Sequence, residues 1–132
     1  MTVDDARWGR INRRLLALFG PILILAGVAG FLTPPHLALT SGAAPYNVFH
    51  ILSGALGTAL VLTRNAHGIA AFNFGFGVID LYQALAGLTG LFPSALFRYR
   101  PADHILHVVL GLLLAMVGWR GLFAGRPSGA PS

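Results

Sequence analysis

Long apolar runs separated by short polar segments dominate the chain. Crossing about 30 Å of hydrocarbon takes about 20 apolar residues at helical rise. Four stretches are long enough, and they span roughly residues 11–33, 45–63, 66–91 and 101–123. Each is too long and too continuous for the alternation of a membrane β-strand. The pattern therefore predicts an all-α fold, an integral membrane four-helix bundle over residues 11–123.

The segments on either side of this domain are polar. Residues 1–10 predict a basic N-terminus, and residues 124–132, rich in glycine, proline and serine, predict a disordered tail. The apolar run from Leu15 to Leu32 covers about 18 residues, whereas the core of a signal peptide covers about 7 to 15. We therefore predict that the first helix is a retained membrane span.

An internal repeat divides the domain into two halves. The run "LAGVAGFLTP" (residues 25–34) closes the first apolar stretch, and "LAGLTGLFP" (residues 85–93) closes the third. Each is followed by a loop and by a helix that carries a histidine, His50 in one half and His107 in the other. This pattern predicts two tandem helical hairpins related by a pseudo-twofold axis along the membrane normal. The two histidines would lie at matching depths, roughly 8 to 10 Å inside the outer helix ends.

Composition supports a membrane location, because 55% of the residues are hydrophobic and 10% are charged, against roughly a quarter charged in soluble domains. All nine basic side chains are arginine. Seven lie on one predicted side of the membrane, at positions 7, 10, 13, 14, 64, 120 and 126, and two on the other, at 98 and 100. The positive-inside rule then places both termini in the cytoplasm.

The same composition excludes several classes of function. The arginines lie in the flanks rather than on one folded face, so we expect no nucleic-acid partner. Without cysteine there are no disulfides, thiolate metal sites or iron–sulfur clusters. Neither a phosphate-binding loop nor a serine nucleophile elbow is present, so no complete catalytic set supports an enzyme.

Small residues recur at helical spacing along the predicted spans. In membrane helices such stripes let neighbouring backbones approach closely. The glycines predicted to pack in this way are Gly27, Gly30, Gly54, Gly57, Gly77, Gly87, Gly111 and Gly118. The leading interpretation is therefore a non-enzymatic accessory or structural subunit that lies in the lipid bilayer and packs against other membrane subunits or against itself.

Polar residues inside the spans are the candidates for chemistry. Asp80 lies near the midplane of the third helix, where an acid costs about 2.5 to 3.5 kcal/mol. It should face the bundle core or a partner, either as part of a proton or ion pathway or as a protonated carboxyl bonded to a neighbouring helix. The side chains predicted to be buried and polar are Asn47, Asn73, Asp80, Asp103 and His104.

The paired histidines support a second hypothesis. Two imidazoles at equal depth on different helices could be the axial ligands of a b-type haem, with His50 and His107 holding the iron. Arg98 and Arg100 would then pair with the propionates. A chlorophyll-type pigment held by one histidine is a further alternative. In the simplest alternative, each histidine hydrogen-bonds a neighbouring helix or loop.

A metal site is disfavoured. Zinc would need His50, Asp103, His104 and His107 as ligands. Positions 103 and 104, however, point about 100° apart on a helix. We therefore predict no metal ligands.

Three segments resemble a known family. "NVFHILSGALG" (residues 47–57), "DHILHVVLG" (103–111) and "GVAGFLTP" (27–34) are similar to the small four-span bacterial membrane proteins of domain of unknown function 4383. Members often have histidine where this chain has Tyr46 and asparagine where it has His104. The resemblance covers about residues 15 to 120, and it implies a four-helix fold in the bacterial cytoplasmic (inner) membrane. It implies no established activity.

Overall fold

The computed structural model describes residues 1–124, which form five helices and no strand. The helices are α1 (Val3–Leu32), α2 (Ala44–Leu62), α3 (Ala66–Thr89), α4 (Ser94–Phe97) and α5 (Pro101–Phe123). The all-α prediction is confirmed. Apart from Ala124, the tail predicted for residues 124–132 lies outside the described residues, as does Arg126.

Four of the helices, α1, α2, α3 and α5, are long and apolar enough to cross a membrane. Their outward faces expose large apolar side chains along their length, such as Leu18, Leu52, Leu85 and Leu112, each more than half exposed. Contact of such a surface with lipid costs no free energy, whereas its contact with water is unfavourable. These features are those of a multi-pass membrane protein.

Helix ends follow local capping chemistry. α1 begins at Val3 rather than near residue 11, so most of the predicted N-terminal segment is helical. The Thr2 hydroxyl accepts a hydrogen bond from the Asp5 backbone N–H, and the Asp5 carboxylate accepts one from the Thr2 backbone N–H at 2.7 Å. This reciprocal cap satisfies donors that the first turn leaves free. α4, a single turn in the second long loop, has no counterpart in the predicted pattern.

The long helices pack in two pairs, α1 with α2 and α3 with α5, and contacts between the pairs are sparser. Glycines allow the two helices of each pair to approach each other closely. A Cβ atom added at Gly20 would lie 3.2 Å from the Gly54 carbonyl oxygen, and one at Gly77 would lie 2.7 Å from the Gly111 carbonyl oxygen. All eight glycines predicted to pack stand where an added Cβ would meet a neighbouring helix at 3.0 Å or less. Gly20 belongs to the same set, although it was not among the glycines predicted to pack.

A cluster of buried apolar side chains lies where the two pairs meet. It consists of Phe19, Leu23, Phe76 and Leu114. The rings of Phe19 and Phe76 pack edge to face with centroids 5.6 Å apart. This cluster separates two polar regions, one around Asn73 and one around Asp80, which lie about one turn to either side of Phe76 on α3.

The first of these polar regions links three helices. The Asn12 side-chain amide donates to the carbonyl oxygens of Trp8 at 2.9 Å and Val117 at 2.8 Å. The Asn73 amide donates to the Asn12 side-chain oxygen at 2.9 Å. Both asparagines are buried. Asn73 was predicted from its helix face, but its partner Asn12 was not.

We expect the two asparagines to be energetically coupled. In a double-mutant cycle of Asn12→Ala and Asn73→Ala, the coupling should be about 0.6 kcal/mol and at most about 1.7 kcal/mol, as for hydrogen bonds between membrane helices. The free energy of unfolding of the four proteins in mixed micelles measures it. Strictly additive losses would show that this hydrogen bond carries no net stability.

Candidate functional site

A cavity of about 200 Å³ lies between the four long helices and the first long loop. The first two turns of α2 and α5 and the middle of α3 line its polar side, while α1 adds an apolar wall. The polar lining residues are Thr40, Ser41, Tyr46, His50, Asp80, Asp103 and His107. The apolar ones are Phe19, Ile22, Leu23, Ala26, Phe76, Leu106 and Leu110. Five titratable side chains from three of the spans, Tyr46, His50, Asp80, Asp103 and His107, therefore meet in one place.

Asp103 organises the polar side. It stands at the third position of α5, where its carboxylate accepts the Arg100 backbone N–H at 2.7 Å. The same oxygen accepts the Ser41 backbone N–H at 2.8 Å, and the other accepts the Tyr46 hydroxyl at 3.2 Å. The Ser41 hydroxyl in turn donates to the Phe97 carbonyl oxygen. Asp103 therefore connects α2, α5 and both long loops, and its acceptors are well occupied.

Tyr46 bridges Asp103 and His107, which stand four residues apart on α5. Its hydroxyl lies 2.8 Å from Nε2 of His107. Since the hydroxyl hydrogen goes to Asp103, the bond to His107 has Nε2–H donating to the Tyr46 oxygen. Nδ1 of His107 is buried and has no hydrogen-bond partner.

Asp80 differs from Asp103 in having no such partners. It is 3% exposed and lines the cavity from α3. None of the described residues donates a hydrogen bond to its carboxyl group. His50 also faces the cavity without a hydrogen bond, and its ring packs against Tyr46 with centroids 4.1 Å apart. An unpartnered buried carboxyl group is expensive unless something else satisfies it.

The remaining predicted polar residues support the helix pairs rather than the cavity. Asn47 is buried, and its amide donates to the Gly42 carbonyl oxygen at 3.1 Å. His104 is half-buried, and its ring packs where a Cβ at Gly87 would lie. Neither side chain lines the cavity.

The two arginines predicted to pair with propionates lie in the outer loops. The Arg100 guanidinium donates to the carbonyl oxygens of Pro35, at 3.1 Å, and Ala38. Arg98 ends α4 with a left-handed backbone at φ 51°. Both face a separate groove beside the first loop. Neither lines the cavity around Asp80.

A tetrapyrrole does not fit between the two histidines. Nε2 of His107 is hydrogen-bonded to Tyr46, and the Tyr46 ring packs against His50 at a tilt of 52°. The cavity, about 200 Å³, is also smaller than the roughly 300 to 1,000 Å³ of sites for drug-sized ligands. For metals, no group of three or more His, Asp, Glu or Cys side chains within residues 1–124 could hold an ion.

No protein family, curated protein or solved structure matches the chain.

Three residues that hydrogen-bond in this region could not be identified from the sequence. Tyr46, which only marks a departure from the family pattern, is the centre of the polar network. Tyr99 donates to the side-chain oxygen of Gln83 at 2.9 Å, and burial raises the pKa of its phenol above the usual value. Ser41 gave no signal at all, because a loop serine becomes informative only when its contacts are known.

Proposed function

We propose that this chain is a non-enzymatic membrane protein that binds a small molecule in the cavity around Asp80. One observation carries the proposal: the Asp80 carboxyl group faces a cavity and has no hydrogen-bond partner, while the neighbouring Asp103 carboxylate is bonded on both oxygens. A buried polar group without partners is rare in proteins unless a ligand, ion or water completes it. Asp80 is thus a group prepared for a ligand rather than for packing.

We further propose that the four spans form a bundle of two equivalent hairpins. The contact between Gly20 and Gly54 and that between Gly77 and Gly111 involve residues 57 positions apart. His50 and His107 keep the same spacing, and each stands six residues after the first residue of its helix, about 9 Å along it. This spacing is three residues shorter than the spacing between the two similar runs at residues 25–34 and 85–93. Helix contacts therefore support the repeat better than the sequence similarity does.

We place the bundle in a bacterial cytoplasmic membrane, with both termini in the cytoplasm. The support is the distribution of arginines, seven on one side and two on the other. A capped α1 that begins at Val3 carries four of the seven in its first turns. Membership in the family of domain of unknown function 4383 belongs to the same proposal and rests on the three segments that resemble it.

An ion pathway is a weaker interpretation of the same site. The apolar cluster of Phe19, Leu23, Phe76 and Leu114 separates the Asp80 cavity from the buried asparagines. A proton wire needs a continuous chain of polar groups or waters, which this layer interrupts. The accessory-subunit hypothesis stays a prediction, since lipid alone can cover the exposed apolar faces.

The accessibility of Asp80 tests the proposed function. A hydrophobic carbodiimide reacts with protonated carboxyl groups inside membranes, and mass spectrometry locates the product. We expect modification at Asp80 in the protein reconstituted in lipid nanodiscs, and little at Asp103, whose oxygens are bonded. Asp80→Asn should remove the modified peptide. An unmodified Asp80 would mean that the cavity is closed to ligands and that the Asp80 side chain has only a structural role in helix packing.

A further inference from the structure

The cavity has an apolar side between α1 and α5. Ile22 and Ala26 line it from α1, and Leu106 and Leu110 line it from α5. Ile22 is 47% exposed and Leu106 is 45% exposed, although both also line the cavity. α1 and α5 belong to different helix pairs and touch each other less than paired helices do. The cavity therefore approaches the molecular surface at a place where lipid, not water, would cover it.

The charge around the cavity favours a cation. Its described lining includes two carboxyl groups, Asp80 and Asp103, and no arginine. The nearby guanidinium of Arg100 is turned away toward the carbonyl oxygens of Pro35 and Ala38. An anionic head group would find no arginine or lysine among the described lining residues. A positive head group would instead pair with Asp80, whose carboxyl group releases its proton as the cation binds.

Aromatic rings surround the same space. Phe19, Phe76 and Tyr46 all line the cavity, and of these the Phe76 ring also stacks on Phe49 and Phe72. The faces of such rings attract ammonium groups, and a desolvated site strengthens the attraction. A volume of about 200 Å³ accommodates a head group but no long chain. A longer tail would have to leave through the apolar side between α1 and α5.

We propose that the ligand is a single-chain amphiphilic organic cation that enters from the lipid between α1 and α5 and places its ammonium group beside Asp80. This inference rests on the proposed function and adds the chemical class of the ligand and its route. A zwitterionic phospholipid suits the site less, because its phosphate would enter a cavity lined by two carboxyl groups.

Protection of Asp80 in nanodiscs tests the ligand class. Three probes with the same ten-carbon chain are compared: decyltrimethylammonium, decylphosphocholine and the uncharged decyldimethylamine oxide. We expect the cation to protect Asp80 from the carbodiimide at a concentration at least tenfold lower than either control. Equal protection by all three would mean that the cavity selects only an apolar chain, which overturns the inference but not the proposed function. Failure to label Asp80 at all would overturn both.

Direct binding gives a second readout. In calorimetry, Asp80→Asn should weaken binding of decyltrimethylammonium by at least about thirtyfold, as expected when one partner of a buried charge pair is lost. Asp4→Asn, on the exposed start of α1, should leave the affinity unchanged. Equal affinity of Asp80→Asn and the unaltered protein would place the cation elsewhere.

The route has its own test. Leu106→Trp should narrow the opening and slow the association of decyltrimethylammonium at least about fivefold. Leu112→Trp is the matched control, because Leu112 is exposed on the same helix but does not line the cavity. Surface plasmon resonance on the nanodisc-embedded variants measures both association rates. Identical rates for the two variants would exclude entry between α1 and α5.

Discussion

Replacing Asp103 by alanine is expected to lower the free energy of unfolding by about 3 to 5 kcal/mol. The change removes the acceptor of two backbone N–H groups, those of Ser41 and Arg100, and of the Tyr46 hydroxyl. Each buried donor left unsatisfied costs about 1 to 3 kcal/mol. Asp103 is 1% exposed, so all three donors lose their acceptor inside the protein.

Unfolding in mixed micelles of increasing sodium dodecyl sulfate content, followed by circular dichroism, measures this loss. Asp103→Asn keeps one side-chain oxygen and should lose about half as much. Asp4→Ala, which removes an exposed carboxylate from the first turn of α1, should cost only a few tenths of a kcal/mol. A loss below 1 kcal/mol for Asp103→Ala would show that the network is not what joins the two loops to α2 and α5.

Replacing Gly77 by alanine is expected to destabilise the protein by about 1 to 3 kcal/mol, the range for overpacking a close contact. The added methyl group would lie 2.7 Å from the Gly111 carbonyl oxygen and 2.8 Å from the Ala115 Cα atom. Backbone atoms cannot rotate away, so α3 and α5 must separate. The loss should appear as a lower midpoint of thermal unfolding in detergent.

Gly75→Ala is the matched control on the same helix, because nothing lies within 4 Å of a Cβ atom there. Alanine is the better helix former by about 1 kcal/mol, so this variant should be as stable as the unaltered protein or more so. Gly20→Ala in the other hairpin should cost less than Gly77→Ala, because the contact below 3.0 Å there is with the Thr58 hydroxyl, a side chain that can move. A loss at Gly20 as large as that at Gly77 would mean that Thr58 cannot move aside.

Much of the fold could be predicted from hydrophobic patterning. Apolar length alone located the four long helices, and Pro101 marked the start of α5 correctly because proline suits a first helical turn. The start of α1 was placed too late, because the arginines of its first turns masked a helix that Thr2 and Asp5 cap. α4 gave no usable signal, since four residues are too few to show a period.

The candidate site was harder to predict. His50, His107 and Asp80 stood out because polar side chains in apolar spans are costly, and the structure brings all three to one cavity. Their partners did not stand out. No sequence pattern marks Tyr46 as a partner. α2 and α5 make no close backbone contact, and only the length of the Tyr46 side chain lets it reach Asp103 and His107. Arg98 and Arg100 were predicted to belong to the same site, but they face another groove.

The sequence by itself determined that this is an all-helical chain with four apolar helices. Unpaired backbone groups and buried charges are costly in an apolar environment, and this cost acts on each segment separately. Only the tertiary structure decided which polar groups satisfy one another. Asp103 and Asp80 are both carboxyl groups in apolar helices, but packing surrounds the first with donors and leaves the second facing a cavity. That difference depends on distances between helices, and no local pattern in a sequence encodes it.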